Sequence, residues 1–162
     1  IIYNSSKPQF AVLGRLPGTR TFRNVKRFAE AKEEPGIKVV RFDSHLFFGN
    51  AEYFRENIEN LINQKNPIRA IVLDASIISS IDSTGVQVIK DLVGFLHNHG
   101  VRFMLTGLIG PVRDILQQNN LISLIGEKNI FLRAHDAVAH LTDHPEEGNN
   151  WSSQALQTNI PS

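Results

Sequence analysis

Ala70–Gly85 reads AIVLDASIISSIDSTG. Its first four residues form an unbroken apolar run, too short for a helix, of the kind found where a parallel strand is covered on both faces. Asp74 ends the run with a charge, and the residues up to Ser83 make a polar turn at the strand's carboxyl end. From about Ser83 the period changes. Val86, Ile89, Val93 and Leu96 recur at helical spacing until His99-Gly100. A strand, a polar turn and an amphipathic helix make one β-α unit.

The same unit repeats on either side. Upstream, Ile37–Phe42 (IKVVRF) reads as a strand, followed by a helix from Asn50, a candidate cap, to about Gln64. Ala51, Phe54, Ile58, Leu61 and Ile62 share one face of that helix, and Glu52, Arg55, Glu56 and Glu59 lie off it. Downstream, Arg102–Thr106 (RFMLT) is a strand, and Gly110-Pro111 opens a helix with proline at the tolerated first position. Ile130–Leu132 is a last short strand and Asp136–His144 a last helix. Phe10–Leu13 (FAVL) adds a strand at the start, expected to join antiparallel at one edge. The stretch Gly14–Gly36 between the first two strands shows no clean period, and so long a connection is uncommon in a compact domain. The order predicts an α/β fold with a mostly parallel, mixed sheet of about five strands and alternating helices.

Composition narrows the function. The length of 162 residues suits one domain. Seventeen basic against 16 acidic residues leave no charge surplus for a strongly basic nucleic-acid binder, so no nucleic-acid partner is expected. No run reaches the roughly 18–20 apolar residues of a membrane span. With no cysteine, thiolate metal sites, disulfides and cysteine nucleophiles are excluded. The chain opens on Ile1 and not on methionine, as a piece cut from a longer polypeptide would. Residues 1–9 are expected to be a linker, 10–144 the folded domain, and 145–162 a polar tail anchored only by Trp151 and Leu156.

Functional groups of an open α/β sheet lie beyond the carboxyl ends of its strands. Here that rule selects Asp74, Asp82, Ser83, Thr84 and Gly85. Asp82, Ser83 and Thr84 stand where a helix offers free N–H groups and the positive end of its dipole, which favours a negative group by about 0.3–1 kcal/mol. Simple capping by Asp82 or Ser83 is the plainer role. Arg15, Arg20, Arg23, Lys26 and Arg27 form a basic run, suited either to anionic headgroups or to pairing with Glu30, Glu33 and Glu34. His140 and His144, with Asp136, share a helix face, but helix-end histidines also serve exposed carbonyls, and no metal site is expected. Ser83 lacks a G-x-S-x-G setting and no nucleotide-binding glycine motif occurs, so no catalytic residue and no enzyme activity are expected.

The strand ending at Asp74, followed by Ile81-Asp82-Ser83-Thr84-Gly85-Val86, resembles the STAS domain of anti-sigma factor antagonists and anion transporters. A second set of motifs is more specific. Val12-Leu13-Gly14-Arg15-Leu16-Pro17-Gly18-Thr19, Phe22-Arg23-Asn24, Pro35-Gly36-Ile37 and Arg41-Phe42-Asp43-Ser44-His45-Leu46-Phe47-Phe48-Gly49-Asn50 resemble the carboxy-terminal STAS domain of SulP sulfate permeases. His45 and Phe47 depart slightly from that pattern. The resemblance spans about Phe10 to His144. It implies a regulatory domain on the cytoplasmic face of the membrane, part of an anion (sulfate) transporter, with residues 1–9 leading from its membrane domain. Ser83 occupies the phosphoacceptor position of the stand-alone antagonists, with Thr84 beside it. Implied partners are the transporter's own membrane domain, a second copy in a homodimer, and a regulatory protein or kinase. A free-standing antagonist is the alternative. A nucleotide-sensing module, with a pocket around Asp74, Ser83 and Gly107, is the second; no other cofactor is implied.

Overall fold

A computed structural model describes residues 8–63 and 65–145. Six strands, β1 (Phe10–Arg15), β2 (Phe22–Asn24), β3 (Ile37–Phe42), β4 (Ala70–Asp74), β5 (Arg102–Thr106) and β6 (Ile130–Phe131), form one sheet in the order β2-β1-β3-β4-β5-β6. β3 to β6 run parallel, and β1 is antiparallel to both β2 and β3. The helices are α1 (Ala51–Ile62), α2 (Ser83–Asn98), α3 (Gly110–Gln118), α4 (Leu121–Ile125) and α5 (Ala134–Asp143).

Strand alternation divides the core in two. Val40, Phe42, Ile71, Leu73, Phe103 and Leu105 point to one face and pack under α1, α2, α3 and α4. Ala11, Leu13, Ile37, Val39, Ala70, Val72 and Met104 point to the other, where Ala137, Val138 and Leu141 of α5 cover them. The run AIVL is apolar throughout because both of its faces are roofed. Each large aliphatic side chain so buried contributes about 1.5–3 kcal/mol relative to exposure.

Several sequence expectations change. The sheet has six strands: β2 falls inside the stretch read as unstructured, and its three residues are too few to carry a period. β1 is antiparallel as expected but is second from the edge, because β2 lies outside it. Asn50 sits before α1 without capping it; its side-chain oxygen accepts from the Phe47 amide at 3.1 Å and its amide donates to the His45 carbonyl at 2.8 Å. It pins the turn leading into the helix instead. α4 was not anticipated, and α5 starts two residues earlier than expected, at Ala134. The tail with Trp151 and Leu156 lies outside the described residues.

Candidate functional site at the carboxyl edge of the sheet

The first turn of α2 is built around Asp82. Its Oδ1 accepts from the Gly85 amide at 2.8 Å, an N-cap, and its Oδ2 accepts from the Phe48 amide at 2.9 Å, far away in sequence. The main chain adds two more ties, Leu46 N–H to the Ser80 carbonyl (2.9 Å) and Asp82 N–H to the Leu46 carbonyl (3.0 Å). The loop after β3 is thus stitched to the start of α2. Gly85 is buried there: a Cβ on it would stand 2.8 Å from the Leu46 carbonyl oxygen. Ser83 and Thr84, by contrast, are exposed.

The Gly85 amide holds the Asp82 carboxyl below its ordinary value of 3.8; partial burial opposes this, and the Phe48 and Thr84 amides and the His45 charge add to it. A depressed carboxyl contributes stability above its unfolded value and loses it as pH falls through the lower folded value. Asp82→Asn keeps an oxygen for Gly85 but turns an amide toward the Phe48 N–H. The variant is expected to melt below wild type at neutral pH, and the gap to narrow as pH falls below 3.8. Thermal melts at neutral and acid pH check this, and a constant gap would remove the carboxylate from the account.

Asp74 and Gly107 lie in a different place from Ser83. Asp74 closes β4, half-buried, with Oδ1 accepting from the Ser76 amide at 3.0 Å. Gly107 follows β5 with φ +70, and a Cβ there would meet the Ser76 Cβ at 3.0 Å. Both line a cavity of about 260 Å³ with Thr106, Arg20, Arg23 and Arg133, and Ser83 does not border it. The single pocket expected around Asp74, Ser83 and Gly107 is therefore two sites, a cavity on the α5 side and an exposed helix start.

The basic run divides as well. Arg15 donates to the Thr19 carbonyl at 3.2 Å; Arg20, Arg23, Lys26 and Arg27 are all exposed, and of these Arg20 and Arg23 border the cavity. Among the described residues none of the five pairs with Glu30, Glu33 or Glu34; Glu33 is bound to Lys38 at 2.8 Å. His140 and His144 stack with ring centroids 4.6 Å apart, and among the described residues no group of three metal-ligating side chains occurs.

Sequence reasoning did not find the apolar rim of this edge. Phe48, Ile77, Ile109 and Leu132 are 77%, 47%, 38% and 77% exposed, each on the loop that leaves one of β3 to β6. Their signal was present, since each is a large apolar residue within a turn, but only the topology puts the four turns on one edge.

The family model described as STAS domain matches residues 28–137. The chain belongs to the STAS domain family. This STAS domain is 32% identical over 148 residues to the high affinity sulfate transporter 2 of Stylosanthes hamata, a match covering 86% of this chain and 22% of that protein. It spans about a quarter of the length of the curated relatives it matches, which include a probable sulfate transporter of Arabidopsis thaliana of which it covers 25%. Its fold matches murine Solute Carrier 26 family member A9, an anion transporter, with TM-score 0.79 and 23% identity over 88% of this chain and 23% of that one. It also matches the anti-sigma factor antagonist SpoIIAA in its unphosphorylated form, with TM-score 0.57 and 18% identity, covering 69% and 93%. These named proteins are transporters and an anti-sigma factor antagonist. Among the described residues no helix of the STAS domain is long and apolar enough to cross a membrane.

Proposed function

We propose that the chain is the cytoplasmic regulatory domain of a SulP-type anion transporter, with sulfate as the anion. Residues 10–144 form the domain, and residues 1–9 lead from the membrane domain. The observation that carries this reading is the match of 86% of the chain to less than a quarter of a sulfate transporter. The remainder of such a protein has room for the transport path, and this part has a sheet edge suited to contact.

The domain acts by docking. Phe48, Ile77, Ile109 and Leu132 offer the apolar surface, and Ser83 and Thr84 follow directly on Asp82, whose carboxylate binds the Phe48 amide. A phosphate on Ser83 would add a charge of about −1.5 to −2 next to Asp82. The dipole of α2 favours that charge, so the fold is kept, but an apolar contact over this edge is not. Lys26 and Arg27, exposed and without acidic partners among the described residues, suit the membrane surface or the membrane domain.

Sulfate uptake by the full-length parent, with surface abundance measured in parallel, tests the switch. Ser83→Glu is expected to change uptake several-fold, and Ser83→Ala to keep basal uptake while losing any response to the kinase. Wild-type behaviour of both variants would end the phosphoswitch.

The fold match to SpoIIAA favours a second reading, a stand-alone phospho-regulated signalling protein. The open reading frame upstream of Ile1 separates the two. About ten or more hydrophobic segments there establish the transporter. A start codon immediately before Ile1 leaves the soluble switch and its kinase.

A further inference from the structure

The cavity bordered by Asp74 and Gly107 has a composition that the docking edge does not explain. Arg20 and Arg23 enter it from the β1–β2 connection and β2, and Arg133 from the residue before α5. Among the described residues none of these three arginines has an ion-pair partner, while Arg41, Arg55 and Arg113 all do. All three are exposed, so water screens their charges, and an anion seated between them would meet three guanidinium groups from two distant segments.

Three further features point the same way. α5 begins at the cavity with no side-chain cap, and its first residues, Ala134 and His135, line the wall, so the positive end of the helix dipole stands at the space. Thr106 is 1% exposed and borders the cavity. The lone carboxylate, Asp74, is already engaged by the Ser76 amide and lies within the field of Arg41. At about 260 Å³ the space is below the roughly 300–1,000 Å³ of sites for drug-sized ligands, and it suits a small anion with a few waters.

We propose that this cavity binds a divalent tetrahedral oxyanion, sulfate, phosphate or the phosphate of a small monoester, between Arg20, Arg23, Arg133 and the start of α5. Arginine's planar fork is matched to such oxygens, and binding from both segments would clamp the β1–β2 hairpin against α5. This inference does not rest on the transport reading, because the ligand is read on the isolated chain.

Titration calorimetry of the 162-residue chain with sodium sulfate, inorganic phosphate and glucose 6-phosphate tests it, with sodium chloride at matched ionic strength as control. Saturable one-site binding is expected for at least one of the divalent anions and none for chloride. Sulfate binding would make the site a sensor of a free inorganic anion; phosphate or the ester binding alone would assign it to phosphorylated metabolites. Arg20→Gln combined with Arg133→Gln is expected to weaken binding at least about tenfold. Arg113→Gln, which breaks a surface pair with Glu127, should leave it unchanged. These arginines are outside the core, so thermal melts should show all variants folded. Equal heats from chloride, or full-strength binding by the double variant, would overturn the site.

Discussion

Gly85→Val is expected to destabilise the chain by roughly 3 kcal/mol, at the upper end of the range for overpacking. The added Cβ would stand 2.8 Å from the Leu46 carbonyl oxygen and 2.8 Å from Ile81 Cγ2. The first of these is backbone. It cannot swing away, because the Leu46 amide and carbonyl are both bonded to the Ser80–Asp82 segment. Gly85→Ala sets two effects against each other: alanine gains about 1 kcal/mol of helix propensity and meets the same clash, costing about 1–3 kcal/mol, so the clash wins. Gly94, in the same helix, is exposed with nothing within 4 Å of a Cβ. Gly94→Ala is therefore expected to stabilise by about 0.5–1 kcal/mol. Urea unfolding of the three variants checks the pair of opposite signs, and stabilisation by Gly85→Ala would show that the loop after β3 yields. Ser83, two residues from Gly85 and exposed, should tolerate alanine with little loss.

Asn129→Ala is expected to cost about 3 kcal/mol, more than a neutral hydrogen bond because a charge loses its acceptor. Asn129 and Arg102 are each 1% exposed. Arg102 Nε donates to Asn129 Oδ1 at 2.6 Å, and Asn129 Nδ2 donates to the Ile125 carbonyl at 2.6 Å. The side chain thus joins the start of β5 to the end of α4 and the turn before β6. Alanine leaves the guanidinium and a helix-end carbonyl in the core without that partner. Asn129→Asp keeps an oxygen for Arg102 and gives it a counter-charge, but sets its second oxygen against the Ile125 carbonyl; the gain offsets part of that repulsion, so the variant should fall between alanine and wild type at neutral pH. A urea midpoint that falls with unchanged slope is the expected signature. A loss under about 1 kcal/mol for Asn129→Ala would mean that water takes the vacated place.

The parallel half of the fold was legible because its signals are local. AIVL is apolar through both faces of β4, and Val86, Ile89, Val93 and Leu96 mark α2 with a period that neighbours alone determine. β2 was not legible. Phe22-Arg23-Asn24 is a strand because Leu13, Gly14 and Arg15 lie opposite it, and three residues show no alternation to read. Asn50 looked like a cap from its position before α1, but its side chain found stronger partners in the turn behind it. Of the candidate site, Asp82 could be anticipated as a cap from its place before Ser83-Thr84-Gly85. Its second bond, to Phe48, could not.

Read alone, the chain's residues specify the class of layers and put Ser83 and Thr84 at an exposed helix start. Those follow from periodicity, capping chemistry and chain direction, all set within a few residues. Tertiary structure alone decided which distant groups meet. It separated Asp74 and Gly107 from Ser83, brought Arg20 and Arg23 to face Arg133, and aligned Phe48, Ile77, Ile109 and Leu132 on one rim. The physical reason is that sheet order and the side on which α5 packs are settled by burial summed over the whole chain, and no local stretch contains that sum.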